Sequence, residues 1–246
     1  MAFSSFRRQR LYFDVRGEPG ESPVLLLHGF ASDGRLNWQG TGWLDALGAS
    51  QRRLLVLDFL GHGYSDKPHA KALYSRALMA ADAVALLDLL RIEVADVIGY
   101  SMGAEIALRA LGQAPARFRR AILGGWDEVS RVDRMGIARR LRERTEDFGP
   151  EAERFYRFAA ARTVNDLDAL AACIEAASTP LPRRALAEIT TPTLVVTGER
   201  DHLAPHGAVL ASRLARGRHL SVAGRDHMSL VGDRAFREAA LVFLDE

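Results

Sequence analysis

The chain has 246 residues, 48% of them hydrophobic and 26% charged, which excludes a disordered or fibrous protein. Its 33 basic side chains nearly balance 31 acidic ones, a formal charge of +2. The bases are interspersed with acids, so no continuous nucleic-acid footprint is expected. A chain this long buries roughly 70–75% of its unfolded surface, so one domain, or one domain carrying an insertion, is the expectation.

A single cysteine, Cys173, excludes an internal disulfide and a cysteine-cluster zinc site. Within ALAACIEAA it reads as a small buried thiol. The N-terminal stretch MAFSSFRRQRLYFDVRGEPG has charges but no apolar run behind them, unlike a secretion signal. No apolar stretch approaches the ~18 residues of a membrane span. These features point to a soluble, cytoplasmic protein that binds neither nucleic acid nor membrane.

In chain order, RLYFDVRG (10–17) alternates like an edge strand and leads into a turn at Gly17–Gly20. The segments 24–29 (VLLLHG), 54–59 (LLVLDF), 95–100 (ADVIGY), 120–125 (RAILGG) and 193–198 (TLVVTG) are near-continuously apolar. Strands covered on both faces read this way. Helical patterns follow at 75–91 and 102–112, and the last stretch, 233–246, is helical too. The repetition implies an α/β fold, a mostly parallel sheet with helices on both faces. Residues 128–182 break the rhythm with three amphipathic helical patterns, closed by Thr179-Pro180-Leu181-Pro182, a stiff non-helical segment. We expect a core domain of 1–127 and 183–246 and a helical cap, or lid, over 128–182. Helices packed along the sheet face are the alternative reading.

The chemical signal is Gly99-Tyr100-Ser101-Met102-Gly103 between a predicted strand and a predicted helix. A sharp strand-to-helix turn of this G-x-S-x-G type projects the serine hydroxyl from the sheet end. The helix start adds N–H groups and partial positive charge, suited to an oxyanion. A hydroxyl is a weak nucleophile and needs a base, which in turn needs an orienting acid. TLVVTGERD delivers Asp201 beyond one strand, and RHLSVAGRDH delivers His227 beyond a last strand at about His219–Val222. Both fall on the sheet edge that carries Ser101, where open parallel sheets build their sites. His202 is the runner-up base and Asp127, after RAILGG, the runner-up acid. His28 reads as a hydrogen-bonding partner of loop backbone. No H-E-x-x-H or comparable cluster suggests a metal.

Taken together, VLLLHGF, LDFLGHGYSD, VIGYSMG, TGERD and GRDHMSL resemble the α/β-hydrolase superfamily, and within it the cap-bearing serine hydrolases of bacterial cytoplasm. The likeness spans about Leu11 to the C-terminus and is weakest over 128–182. It implies an α/β-hydrolase fold with Ser101 as nucleophile, His227 as general base and then acid, and Asp201 as orienting carboxylate. It also implies that the backbone N–H groups of Phe30 and Met102 form the oxyanion hole. His62, in Asp58-Phe59-Leu60-Gly61-His62-Gly63, resembles a loop-stabilising motif of the family. Phe30 departs from the HGGG pattern of several lipases and esterases. Serine at the elbow disfavours epoxide hydrolases and haloalkane dehalogenases, which use aspartate there. HGFASDGRLNW also differs from the Gly/Pro-rich loop common in C–C hydrolases.

The implied activity is that of a cofactor-independent serine hydrolase acting on small carboxylic esters. The alternatives are a C–C bond hydrolase or lactonase of the same fold, and a non-catalytic ligand-binding module. The partner is a small-molecule substrate, and the protein is a monomer or small homo-oligomer. Phe30, Tyr100 and Trp126 flank the expected chemistry and are the first candidates for pocket walls. Trp38, Trp43, Phe148, Phe155, Tyr156 and Phe158 are further ones, although an aromatic is more often core.

Overall fold

The apolar runs become the strands of one sheet in a computed structural model of the chain, which describes residues 2–19, 22–129, 132–144, 148–176 and 179–246. The strands are β1 (Ala2–Phe6), β2 (Gln9–Arg16), β3 (Ser22–Leu27), β4 (Arg52–Leu57), β5 (Ala95–Tyr100), β6 (Phe118–Gly124), β7 (Thr193–Gly198) and β8 (Gly217–Val222). Their spatial order is β1-β2-β4-β3-β5-β6-β7-β8. β1–β2 and β2–β4 pair antiparallel, and every other neighbouring pair is parallel. All residues of β5 and β7 are buried, because both faces of these central strands are covered by helices.

The helices are α1 (Trp43–Ala49), α2 (Arg76–Leu89), α3 (Met102–Gln113), α4 (Arg134–Glu143), α5 (Pro150–Ala160), α6 (Leu167–Glu175), α7 (Arg183–Ala187), α8 (Gly207–Arg213) and α9 (Arg234–Asp245). The period-2 alternation of strand side chains divides the core between the two faces. Leu25 and Leu27 of β3 join the cluster under α2 and α3, whereas Val24 and Leu26 join the cluster under α1 and α9. On the second face, Trp38, Trp43 and Phe236 stack edge to face at centroid distances of 5.7 and 4.9 Å. This places Trp38 and Trp43 in the core and away from the cavities near Ser101.

One expectation is revised. β2 is not the edge strand, because β1 pairs outside it. The turn that joins them is Arg7-Arg8, with φ of 50° and 63°. Positive φ at both central residues is the geometry that Asn-Gly usually signals, and two arginines give no such signal. The end of the turn expected at Gly17–Gly20 falls on Gly20, outside the described residues. The short α7, which follows the Pro-rich segment, is an addition.

Between β6 and β7 the chain forms α4, α5 and α6 and then the short α7; parts of the extents expected for the first three (131, 145–147 and 177) lie outside the described residues. α4 packs against both α5 and α6. Asn165 Nδ2 donates to the Ala31 carbonyl at 3.2 Å, and Arg162 pairs with buried Asp33. The turn after α5 is thereby tied to the loop after β3. Among the described residues, no helix is long and apolar enough to cross a membrane.

Candidate active site

β5 ends at Tyr100, α3 begins at Met102, and Ser101 alone makes the turn with φ 52° and ψ −116°. This is a sparsely populated conformation for a residue with a side chain. It is held from both sides. The Ser101 N–H donates to the Gly124 carbonyl at 2.8 Å, and the Ser101 carbonyl accepts from Ala104 at 2.9 Å and Glu105 at 3.1 Å. The two glycines of the motif permit the closeness. A Cβ on Gly103 would lie 2.0 Å from the Leu27 carbonyl oxygen, and one on Gly99 would lie 2.3 Å from the Gly103 oxygen. No side chain fits between α3, β3 and β5 at these points.

The loop after β8 brings His227 to Ser101. Asp226 shapes that loop by accepting the N–H groups of Ser229 at 2.8 Å and Met228 at 3.1 Å, and hydrogen bonds from Ser229 hold its carboxyl below the usual range. His227 Nε2 lies 3.0 Å from Ser101 Oγ. His227 Nδ1 lies 3.0 and 3.2 Å from the two carboxylate oxygens of Asp201. Asp201, 2% exposed, is itself fixed by the N–H groups of Leu203 and Ala204 at 2.9 and 3.1 Å. With Nδ1–H donating to the carboxylate, Nε2 is left as the acceptor for the serine hydroxyl. Residues 101, 201 and 227 therefore form one hydrogen-bonded chain.

The rivals fall elsewhere. Asp127 accepts the N–H groups of Val129 and His206 at 3.0 and 2.7 Å and makes no bond to His227. His202 is exposed. His28 bridges the Gly29 carbonyl and the Phe59 N–H at 2.8 and 3.0 Å, and His62 donates to the Leu60 carbonyl at 3.0 Å. Burial lowers the pKa of both. These two imidazoles hold loops, as their sequence contexts suggest.

Above Ser101 lies a cavity of about 230 Å³. Phe30, Leu36, Tyr100, Phe155, Phe158 and Val231 give it mostly apolar walls. Of the expected aromatics, Phe30 and Tyr100 line this cavity, and Trp126 lines a smaller neighbouring one that also includes Phe30 and Ser101. Tyr100 also donates its hydroxyl to the His227 carbonyl at 2.6 Å, and burial keeps that phenol protonated by raising its pKa well above the usual value. Phe155 and Phe158 come from α5, whereas Tyr156 turns away under the Arg140 guanidinium and Phe148 packs into the core. Sequence reasoning missed Leu36, Asn37 and Thr41 in the loop after β3, and Met228 and Val231 beyond His227. Their positions next to the HG and GRDH motifs were the available signal. Among the described residues, the N–H groups of Phe30 and Met102 donate to no protein acceptor. For Met102 this follows from its place as first residue of α3.

This elbow, sheet order and side-chain chain define an α/β hydrolase. A family model for the alpha/beta hydrolase fold matches residues 22–151, and the chain belongs to that family. It is 39% identical over 108 residues to a 2-hydroxymuconate semialdehyde hydrolase of Pseudomonas sp. (strain CF600), covering 44% of this chain and 38% of that protein. The chain thus spans less than two fifths of the length of that relative. A serine hydrolase of Mus musculus is 28% identical over 233 residues, covering 89% of this chain and 78% of that one. Among solved structures, an enol-lactonase from Burkholderia xenovorans LB400 superposes over the full length of both chains with a TM-score of 0.84 at 22% identity.

Proposed function

We propose that the protein is a cofactor-independent serine hydrolase that cleaves small carboxylic esters through an acyl-enzyme. The observation that carries this reading is the unbroken hydrogen-bonded chain from Ser101 Oγ through His227 to Asp201 at the floor of an apolar cavity. Ser101 Oγ attacks the ester carbonyl carbon as its proton passes to His227 Nε2. The carbonyl π pair moves onto oxygen, where the N–H groups of Phe30 and Met102 stabilise it. Collapse of the intermediate breaks the ester C–O bond, and His227 returns its proton to the leaving alkoxide. Water then attacks the acyl carbon, again losing a proton to Nε2, and Ser101 leaves with that proton. Asp201 holds the imidazole tautomer throughout.

In this reading residues 128–182 are a cap. Its α5 supplies Phe155 and Phe158, which with Phe30 and Tyr100 exclude water from the acyl-enzyme, while Trp126 walls the neighbouring chamber. Exclusion of water strengthens the hydrogen bonds to the oxyanion. Replacing Ser101 by Ala is expected to lower turnover of a p-nitrophenyl ester by about 10⁴–10⁶-fold. Unchanged turnover would remove Ser101 from the mechanism. The names of a 2-hydroxymuconate semialdehyde hydrolase and an enol-lactonase among the similar proteins favour a second reading. In it, the same nucleophile serves C–C hydrolysis or lactone opening. A panel of esters, lactones and vinylogous diketones ranked by kcat/KM separates the two.

A further inference from the structure

Beside the apolar cavity, and sharing Phe30, Ser101, Phe155 and His227 with it, lies a chamber of about 70 Å³ whose further lining carries charged side chains. Its walls include Arg76, Glu105, Asp127 and Arg134. A wider space of about 380 Å³ shares Glu105, Trp126, Val132 and Arg134 with it and reaches Pro180 and Leu181. Charged side chains therefore run from beside the nucleophile toward the surface.

The acids along this path are already satisfied. Glu105 stands four residues after Ser101 on α3 and is 4% exposed. It accepts from Arg76 Nε at 3.2 Å and from Arg109 Nη2 at 3.4 Å. Asp127 takes the two backbone N–H groups described above. Farther out, Glu128 pairs with Arg213 at 2.8 Å, and Asp133 caps α4 through the Gly136 N–H at 2.9 Å.

Arg134 differs from all of these. Its guanidinium approaches Glu105 only to 3.7 Å, and among the described residues it has no hydrogen-bonded acceptor. Its side chain is nevertheless mostly buried, at 24% exposure. Burial first, and then the guanidinium of Arg76, depress its pKa against the pull of Glu105. Such a guanidinium keeps its charge, so it sits in a poorly solvated place with its fork of donors unspent. In the chamber Arg76 and Arg134 face Glu105 and Asp127, two charges of each sign, so it is the uncommitted donor fork of Arg134, and not a net charge, that marks an anion site.

We propose that this chamber receives a free carboxylate of the substrate on the fork of Arg134. The enzyme would then prefer acyl groups that end in a carboxylate, with the reacting carbonyl at Ser101 and the apolar leaving group in the larger cavity. This rests on Ser101 being the nucleophile. Bidentate pairing with guanidinium gives both energy and orientation. The small chamber sets a short spacing between carboxylate and carbonyl.

The test compares monophenyl glutarate with phenyl pentanoate, esters of equal acyl length that differ in the terminal carboxylate. Wild type should favour the glutarate in kcat/KM by at least about tenfold, or about 1.4 kcal/mol. R134Q should bring that ratio near one, R134K should keep part of it, and R134E should invert it. The retained preference in R134K separates recognition from misfolding. Independently of turnover, calorimetric titration should show glutarate binding at least about tenfold more tightly than pentanoate, with the difference lost in R134Q. A wild-type ratio of one or less, or a ratio that R134Q leaves unchanged, overturns the proposal. If neither ester is cleaved and Ser101 resists acylation, the nucleophile reading fails, and the titration alone decides whether the chamber binds carboxylates.

Discussion

Gly103→Ala probes the packing that sets the Ser101 turn. A Cβ there would lie 2.0 Å from the Leu27 oxygen, 2.5 Å from the Leu27 carbon and 2.7 Å from the His28 oxygen. All three are backbone atoms of β3 and its exit, so none can rotate away, and real Cβ contacts do not fall under 3.0 Å. Relief requires α3 to move away from β3 by about an ångström. Forced overpacking of this kind costs typically about 1–3 kcal/mol, a fall in Tm of roughly 2–4 °C per kcal/mol for a chain of this size. The same movement carries Ser101 and the Met102 N–H with it. A misplacement of about 1 Å in a catalytic group costs about 100-fold in rate, so turnover should fall by more than the stability loss alone explains. Gly112→Ala, on the same helix with nothing within 4 Å of the added Cβ, is the control. It should stabilise by about 0.5–1 kcal/mol without loss of turnover. Thermal unfolding and p-nitrophenyl ester kinetics on both variants decide the matter. Wild-type Tm and turnover in Gly103→Ala would refute the close-packing argument.

Asp201→Asn should lower kcat by about 10⁴-fold, because the amide no longer fixes the tautomer in which Nε2 accepts; a loss under tenfold would return the acid role to another carboxylate. Trp43→Ala removes a fully buried indole that packs on Phe236 and donates to the Val231 carbonyl at 2.7 Å. Urea unfolding should show a loss of about 3–5 kcal/mol, and a loss below 1 kcal/mol would contradict its place in the core. Asp33 provides a pH prediction. Burial opposes its ionisation, but the Leu36 N–H and Arg162 outweigh burial and hold its carboxyl below the usual range. A depressed carboxyl stabilises the fold above its unfolded value near pH 4, and that stability disappears as pH falls through the lower folded value. The Tm gap between wild type and Asp33→Asn should therefore be present at pH 7 and close toward pH 3. A gap that persists at pH 3 would remove the Asp33–Arg162 ion pair from the stability of the fold.

The parts legible in the sequence were those with local signatures. β5 and β7 read correctly because strands covered on both faces are continuously apolar, and the turn at Ser101 read correctly because two glycines flank it. Asp201 and His227 could be placed because each follows a strand at the same sheet edge. β1 was hidden by its Arg7-Arg8 turn, whose positive φ values come from tertiary context and not from residue preference. The charged chamber was also hidden. Arg76, Glu105 and Arg134 come from α2, α3 and α4, and each alone looks like an ordinary charged residue on an amphipathic helix. Only the packing of the three helices turns them inward together. Trp38 and Trp43, offered as further pocket candidates, proved to be core, the commoner place for a large aromatic.

Covalent capture reads the nucleophile directly. Intact-mass spectrometry after treatment with a fluorophosphonate should show one adduct per chain, peptide mapping should place it on Ser101, and Ser101→Ala should take up none. An unreactive wild-type chain, or an adduct that persists in Ser101→Ala, would contradict the assignment of residue 101.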